Sequence, residues 1–255
     1  HMLDKHMIYS CAYWEKAKTL DEAQEHKLDL ICRKLHLSPG MTLLDIGCGW
    51  GGFARYAAEK YHVRITGITI SPAQAEFARK YCAGLSVDIR LQDYRDLKET
   101  FDRIVSIGMF EHVGYKNYRP FMNIVYSNLH TNGIFLLHCI GGHENVVATD
   151  PWINRYIFPN GMMPSALQII KSIQRRFILQ DWHNFGVDYD RTLMEWLKRF
   201  KRSWPELKGQ YHEEFYRMWE YYLCISAASF RARKNNLWQI VLTKPEYSGV
   251  YKSVR

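Results

Sequence analysis

From Thr42 onward, short apolar runs alternate with stretches whose apolar residues recur every three to four positions. "TLLDIGC" (42–48), "VRITGITI" (63–70), "VDIRLQD" (87–93), "FDRIVSIGM" (101–109) and "GIFLLHCI" (133–140) read as five strands. "GGFARYAAEKY" (51–61) reads as a helix, and Ser71-Pro72 opens another in cap-then-proline order. Helical or linking segments join the other strands, so the rhythm predicts an α/β fold around a mostly parallel sheet. After Ile140 the rhythm breaks. A Pro- and aromatic-containing segment (141–164) leads to an amphipathic helix at 165–176 and a strand at 176–185. Helices at 190–203 and 210–234 and a last strand at 237–245 follow, which brings the strands to seven.

Composition narrows the setting. Of 255 residues, 47% are hydrophobic, enough for the core of one large domain. No apolar run reaches the roughly 18 residues that a membrane-spanning helix needs. His1-Met2 reads as a cloning remnant. Six scattered cysteines without a Cys-x-x-Cys pair read as reduced thiols of a cytosol. "HCIGGHEN" (138–145) lacks the helical His-Glu-x-x-His spacing, so no metal site is expected. The net charge of +8 suits an anionic partner, nucleic acid or phospholipid, without deciding between them.

The candidate chemistry begins at "DIGCGWGG" (45–52), between the first strand and its helix. Gly47, Gly49 and Gly52 fit the dinucleotide pattern G-x-G-x-x-G, a weak signal alone. The second strand ends in Thr69-Ile70-Ser71, without the acid that would hold a nicotinamide cofactor's ribose. Asp45, two residues before the first glycine, instead resembles the first motif of S-adenosylmethionine-dependent methyltransferases. An acid there helps hold the amino-acid portion of that cofactor. Asp93 and Tyr94 stand near the expected adenine, although a solvated loop explains them equally well.

An ordered set of motifs makes the resemblance more specific. "YSCAYW" (9–14), "DIGCGWGG", "TIS" (69–71), "QDYRDL" (92–97), "GMFEHVG" (108–114), "FLLHCIG" (135–141), "DPWINRYIFPNG" (150–161) and "DWHNFGVDYDRTL" (181–193) together resemble the bacterial cyclopropane-fatty-acyl-phospholipid synthases. The resemblance runs from about Tyr9 to the C-terminus. It implies a Rossmann-like class I methyltransferase, with helices on both faces of a seven-stranded sheet and late insertions forming an acyl pocket. Residues 1–40 would be a helical cover, 41–140 the cofactor-binding half, and 141–255 the substrate side with the last two strands. The family's further N-terminal helical segment would be absent. Cofactor contacts implied are Tyr9, Ser10, Asp45, Gly47, Gly49, Trp50, Gly51, Thr69, Ile70, Ser71, Gln74, Asp93, Tyr94 and Gly108.

The implied reaction adds the cofactor's methyl group to a cis double bond of an acyl chain, leaving a carbocation. A base then removes a proton from the new methyl so that a cyclopropane ring closes. In this family the base is a bound bicarbonate. Its holders here would be Cys11, Glu111, His138, Tyr189 and the backbone of Ile140. Glu111 would accept from the bicarbonate hydroxyl, while His138 and Tyr189 donate to its oxygens. Aromatic faces suit a cation, and Phe110, Tyr115, Phe158 and Tyr189 are candidates.

The implied partner is an unsaturated phospholipid, met in the bacterial cytoplasm by transient contact with the inner face of the membrane. A homodimer is left open. "RTLMEWLKRFKRSW" (191–204) could lie on an anionic surface as a basic amphipathic helix, or pack its apolar face on the core. "SALQIIKSIQRRF" (165–177) is a candidate lid or channel wall. Nucleic-acid methylation is disfavoured, because Met-Phe-Glu-His stands where base-amino methyltransferases carry Asp/Asn-Pro-Pro-aromatic. The remaining rivals are a lipid or small-molecule methyltransferase that stops before ring closure, and a non-catalytic binding module.

Overall fold

A computed structural model describes residues 1–255. In chain order the elements are α1 (Leu20–Lys34), β1 (Thr42–Ile46), α2 (Gly52–Tyr61), β2 (Arg64–Thr69), α3 (Pro72–Tyr81), β3 (Val87–Leu91), β4 (Phe101–Ile107), α4 (Tyr118–Asn128) and β5 (Leu129–Gly142). They continue as α5 (Pro151–Tyr156), α6 (Ala166–Ile173), β6 (Ile178–Asn184), α7 (Val187–Leu207), α8 (Glu213–Arg231) and β7 (Asn235–Thr243). The strands form one sheet in the order β3-β2-β1-β4-β5-β7-β6. β1 to β5 run parallel, and β7 is antiparallel to both its neighbours. This is the expected mostly parallel, seven-stranded architecture.

Local chemistry sets many boundaries. Thr19 and Glu22 make a reciprocal capping box on α1, as Ser165 and Gln168 do on α6. Ser71 caps α3 ahead of Pro72, as its sequence predicts, and Asp150 caps α5 ahead of Pro151. Three elements differ from expectation. The segment 141–164 contains the short helix α5. β5 begins at Leu129, which pairs with Phe101 across an irregularity in the ladder. α7 starts within "GVDYD" and runs one turn past Ser203, with Pro205 inside its last turn at the loss of one backbone hydrogen bond.

Alternation along β5 decides which groups meet. Phe135, Leu137 and Cys139 face the core made with α4 and α6. Ile134 and Leu136 face the opposite core, made with α1 and α2. A period of two therefore puts His138 and Ile140 on the α1 side as the strand ends. There α7 and α8 close over the rim in a third apolar cluster, which contains Cys11, Tyr189, Trp196, Tyr222 and Leu237.

Candidate active site

The glycine loop wraps the end of β1. Gly47 adopts φ +82°, and a Cβ there would meet Met109 at 2.7 Å, so only glycine fits. Gly52 opens α2 under the N-terminal segment, where a Cβ would stand 2.0 Å from the His6 carbonyl oxygen. At the end of β2, Thr69 Oγ1 donates to Gln74 Oε1 (2.9 Å) and accepts from the Ser71 amide (3.2 Å).

These turns border a cleft of about 710 Å³. Tyr9, Ser10, Asp45, Gly47, Gly49, Trp50, Thr69, Ile70, Gln74, Asp93, Tyr94 and Gly108 all line it. The two other expected contacts lie off the lining. Gly51 is the N-cap of α2 and packs against Ala78, and Ser71 is absorbed in capping α3. Asp93 is engaged by Arg95, whose guanidinium holds its carboxyl below the usual range. Ile70 is 77% exposed at the cleft, an apolar side chain without a protein partner.

Asp45 is buried, and burial pushes its carboxyl up to about 7, opposed by the nearby Lys27 ammonium. Lys27 is itself fully buried and driven down to about 8. Its Nζ donates to Ser10 Oγ (2.9 Å), while Gln24 Nε2 donates to the Ser10 carbonyl (2.9 Å). Sequence reasoning missed Lys27. The available signal was a polar set, Gln24, Lys27 and Lys34, on the buried face of an amphipathic helix.

Behind the cleft, next in the chain to its lining residues Ser10 and His112, lie Cys11 and Glu111. Glu111 sits in a single 3₁₀ turn, Phe110–His112, just beyond β4. Its Oε1 accepts from the Ile140 amide at 2.6 Å, and its Oε2 is buried without a partner. Burial raises this carboxyl to about 7. His138 is fully buried, with Nδ1 3.3 Å from Gln239 Nε2 and with Nε2 unpartnered. Burial, then the Lys27 and Lys34 charges, keep the imidazole neutral. Tyr189 stands on the first turn of α7, within electrostatic reach of Cys11, Tyr9 and Glu111, and burial holds it protonated. The Cys11 thiol is likewise driven up by burial and donates to the Ala12 carbonyl. One region thus gathers all five expected holders, with the Ile140 amide given to Glu111.

The four candidate aromatics divide between core, surface and site. Phe110 stacks on Tyr118 (4.3 Å between ring centroids) in the α4-side core, and Tyr115 lies half-exposed at a separate surface pocket. Phe158 and Tyr189 do belong to the region, joined by Tyr9, Trp196 and Tyr222. Tyr9 and Tyr222 share a hydroxyl–hydroxyl hydrogen bond of 2.9 Å. His112 lies across from Phe158 (5.8 Å) on the cleft wall. The candidate membrane helix is also resolved: Trp196, Leu197 and Phe200 of α7 are buried, so its apolar face packs on the core.

Comparison with known proteins bears on the family and the fold. The family model for mycolic acid cyclopropane synthetase matches residues 1–240. The chain is 55% identical over 249 residues to the cyclopropane-fatty-acyl-phospholipid synthase of Escherichia coli K12, a match covering 98% of this chain and 65% of that protein. The chain therefore spans about two-thirds of that relative's length. Among solved structures, the cyclopropane synthase MmaA2 from Mycobacterium tuberculosis superposes with a TM-score of 0.89 at 33% identity, covering 95% of this chain and 92% of that one. The mycolic acid cyclopropane synthase CmaA1, complexed with SAH and CTAB, gives the same TM-score at 34% identity over the same shares.

Proposed function

The chain belongs to the mycolic acid cyclopropane synthetase family, with the Rossmann-like fold of S-adenosylmethionine-dependent methyltransferases, and from that premise we propose that it builds cyclopropane rings on unsaturated phospholipid acyl chains. S-adenosylmethionine would supply the methyl group from the glycine-loop cleft, with Asp45 near its charged amino-acid end and Ile70 against its adenine. One bond forms between that methyl carbon and an alkene carbon as the sulfur–methyl bond breaks. The other alkene carbon is left cationic. Loss of a proton from the new methyl then releases the electron pair that closes the ring, so the net transfer is one methylene.

The observation that carries this reading is the pair of buried atoms without partners, Glu111 Oε2 and His138 Nε2, beside an aromatic cluster. A buried polar atom without a partner costs roughly 1–3 kcal/mol, a cost that a bound group can relieve. The donor set fits a small oxyanion: Glu111 can accept from its hydroxyl, and neutral His138 and protonated Tyr189 can donate to its oxygens. Bicarbonate bound there would supply the base that takes the methyl proton. Around it, Tyr9, Phe158, Trp196 and Tyr222 offer faces that attract positive charge without trapping it. The substrate would be met at a phospholipid surface, a partner suited to the net charge of +8.

Incubation with methyl-labelled S-adenosylmethionine and cis-unsaturated phospholipid vesicles tests the reading. The expected product is an acyl chain one CH2 heavier with upfield cyclopropane protons in its NMR spectrum. A methyl-branched alkene of the same mass, or label found only in small molecules, would count against it.

A further inference from the structure

His138 has a line of polar groups behind it that the chemistry above does not use. Gln239 of β7 is in register with His138 of β5 on one side and with His183 of β6 on the other. Residues directly opposite across strands share a sheet face, so the three side chains form a row. Gln239 is fully buried, and its Nε2 lies 3.3 Å from His138 Nδ1. At the far end, Lys34 Nζ lies 3.0 Å from His183 Nδ1 and 3.6 Å from the Asp181 carboxylate, and burial drives its ammonium down to about 7 against the pull of Asp181. Phe185 packs against both imidazoles, at 6.0 Å from His138 and 4.9 Å from His183.

We propose that Gln239 is a positioning residue that holds His138 in the tautomer carrying its proton on Nε2. Gln239 turns its amide NH2 toward His138 Nδ1 at 3.3 Å, while its Oε1 is buried without a partner. A neutral imidazole that accepts at Nδ1 must carry its proton at Nε2, the atom without a partner in the buried region. Gln239 therefore keeps His138 ready to donate to an anion before one arrives, at no reorganisation cost during reaction. This inference rests on the proposed role of His138.

The test is nitrogen NMR of the full chain labelled with 15N-histidine, with His138 assigned by loss of its signals in His138→Asn. The expected wild-type spectrum shows a protonated Nε2 and a bare Nδ1. Gln239→Glu, nearly isosteric but an acceptor when ionised, should move the proton to Nδ1. It should also lower kcat about 10- to 100-fold, as is usual when the orienting partner of a functional histidine is lost, and leave KM for S-adenosylmethionine unchanged. Gln239→Leu keeps the volume and should give mixed tautomers, and it serves as the comparison if the Glu variant does not fold. A wild-type ring protonated on Nδ1, or variants whose His138 signals match the wild type, would overturn the proposal. A wild-type chain inert toward unsaturated vesicles would instead sink the proposed function and leave the tautomer result standing.

Discussion

Glu111 has one oxygen tied to a backbone amide and the other buried without a partner, and that asymmetry separates a structural from a functional role. The Oε1 contact with Ile140 joins the β4 turn to β5, a bond that a side-chain amide oxygen can also accept. Glu111→Gln should therefore leave the fold and cofactor binding intact while lowering turnover by about 10²- to 10³-fold, the scale for losing one preorganised polar contact in a reacting site. Cofactor binding by calorimetry and single-turnover rates check this, and near wild-type turnover would remove Glu111 from the chemistry. Glu111 was legible as a candidate because a carboxylate at the end of an apolar strand needs a partner, whereas His138 was reached only through the resemblance. Lys27 was not, since its partners Ser10 and Asp45 come from other parts of the chain.

At the scale of elements, the Thr192 hydroxyl of α7 is a junction to the N-terminal segment. Thr192 Oγ1 accepts from the Ala12 amide (3.2 Å) and from Trp14 Nε1 (2.9 Å), and donates to the Asp188 carbonyl (2.8 Å). The Asp188 carboxylate adds a bond from the Trp14 amide at 2.7 Å. This junction sets Cys11 beside Tyr189. Thr192→Val keeps the shape but leaves two buried donors unpaired, each costing about 1–3 kcal/mol. Chemical denaturation should show a loss in that range or above it; an unchanged midpoint would mean that the junction is held by packing alone. The 3.6-residue period announced α7, but a basic amphipathic helix suits a membrane or a core equally well. The choice fell to the core because β5 and β7 extend past the sheet and expose an apolar rim that α7 and α8 cover.

For the molecule as a whole, the question is which charges remain free to meet a lipid surface. Arg199 pairs with Asp21, Lys201 with Glu220, and Arg231 with Asp190. Arg202 forms no such pair, and Lys198 only a 3.7 Å contact with Glu195. No helix is long and apolar enough to cross a membrane. Binding to vesicles should thus be electrostatic: strong on anionic lipid, weak on zwitterionic lipid, and reduced by added salt. Lys198→Gln with Arg202→Gln should weaken cosedimentation by up to about 1 kcal/mol per charge. Equal binding to neutral and anionic vesicles would show that apolar insertion dominates.

The sequence by itself determined the strand and helix rhythm, the glycine turn after β1, the N-cap of α3 and the placing of an acid just beyond an apolar strand near the sheet's edge. Those features follow from local sterics, period and hydrogen-bonding capacity, which neighbouring residues carry with them. Only the tertiary structure decided that Phe110 belongs to a core while Trp196 and Tyr222 pack beside Tyr9, and that Lys27 and Gln239 stand behind Ser10 and His138. Those facts depend on which strands lie side by side and which helix covers their ends. They are contacts between positions as far apart as 9 and 222, which no local pattern encodes.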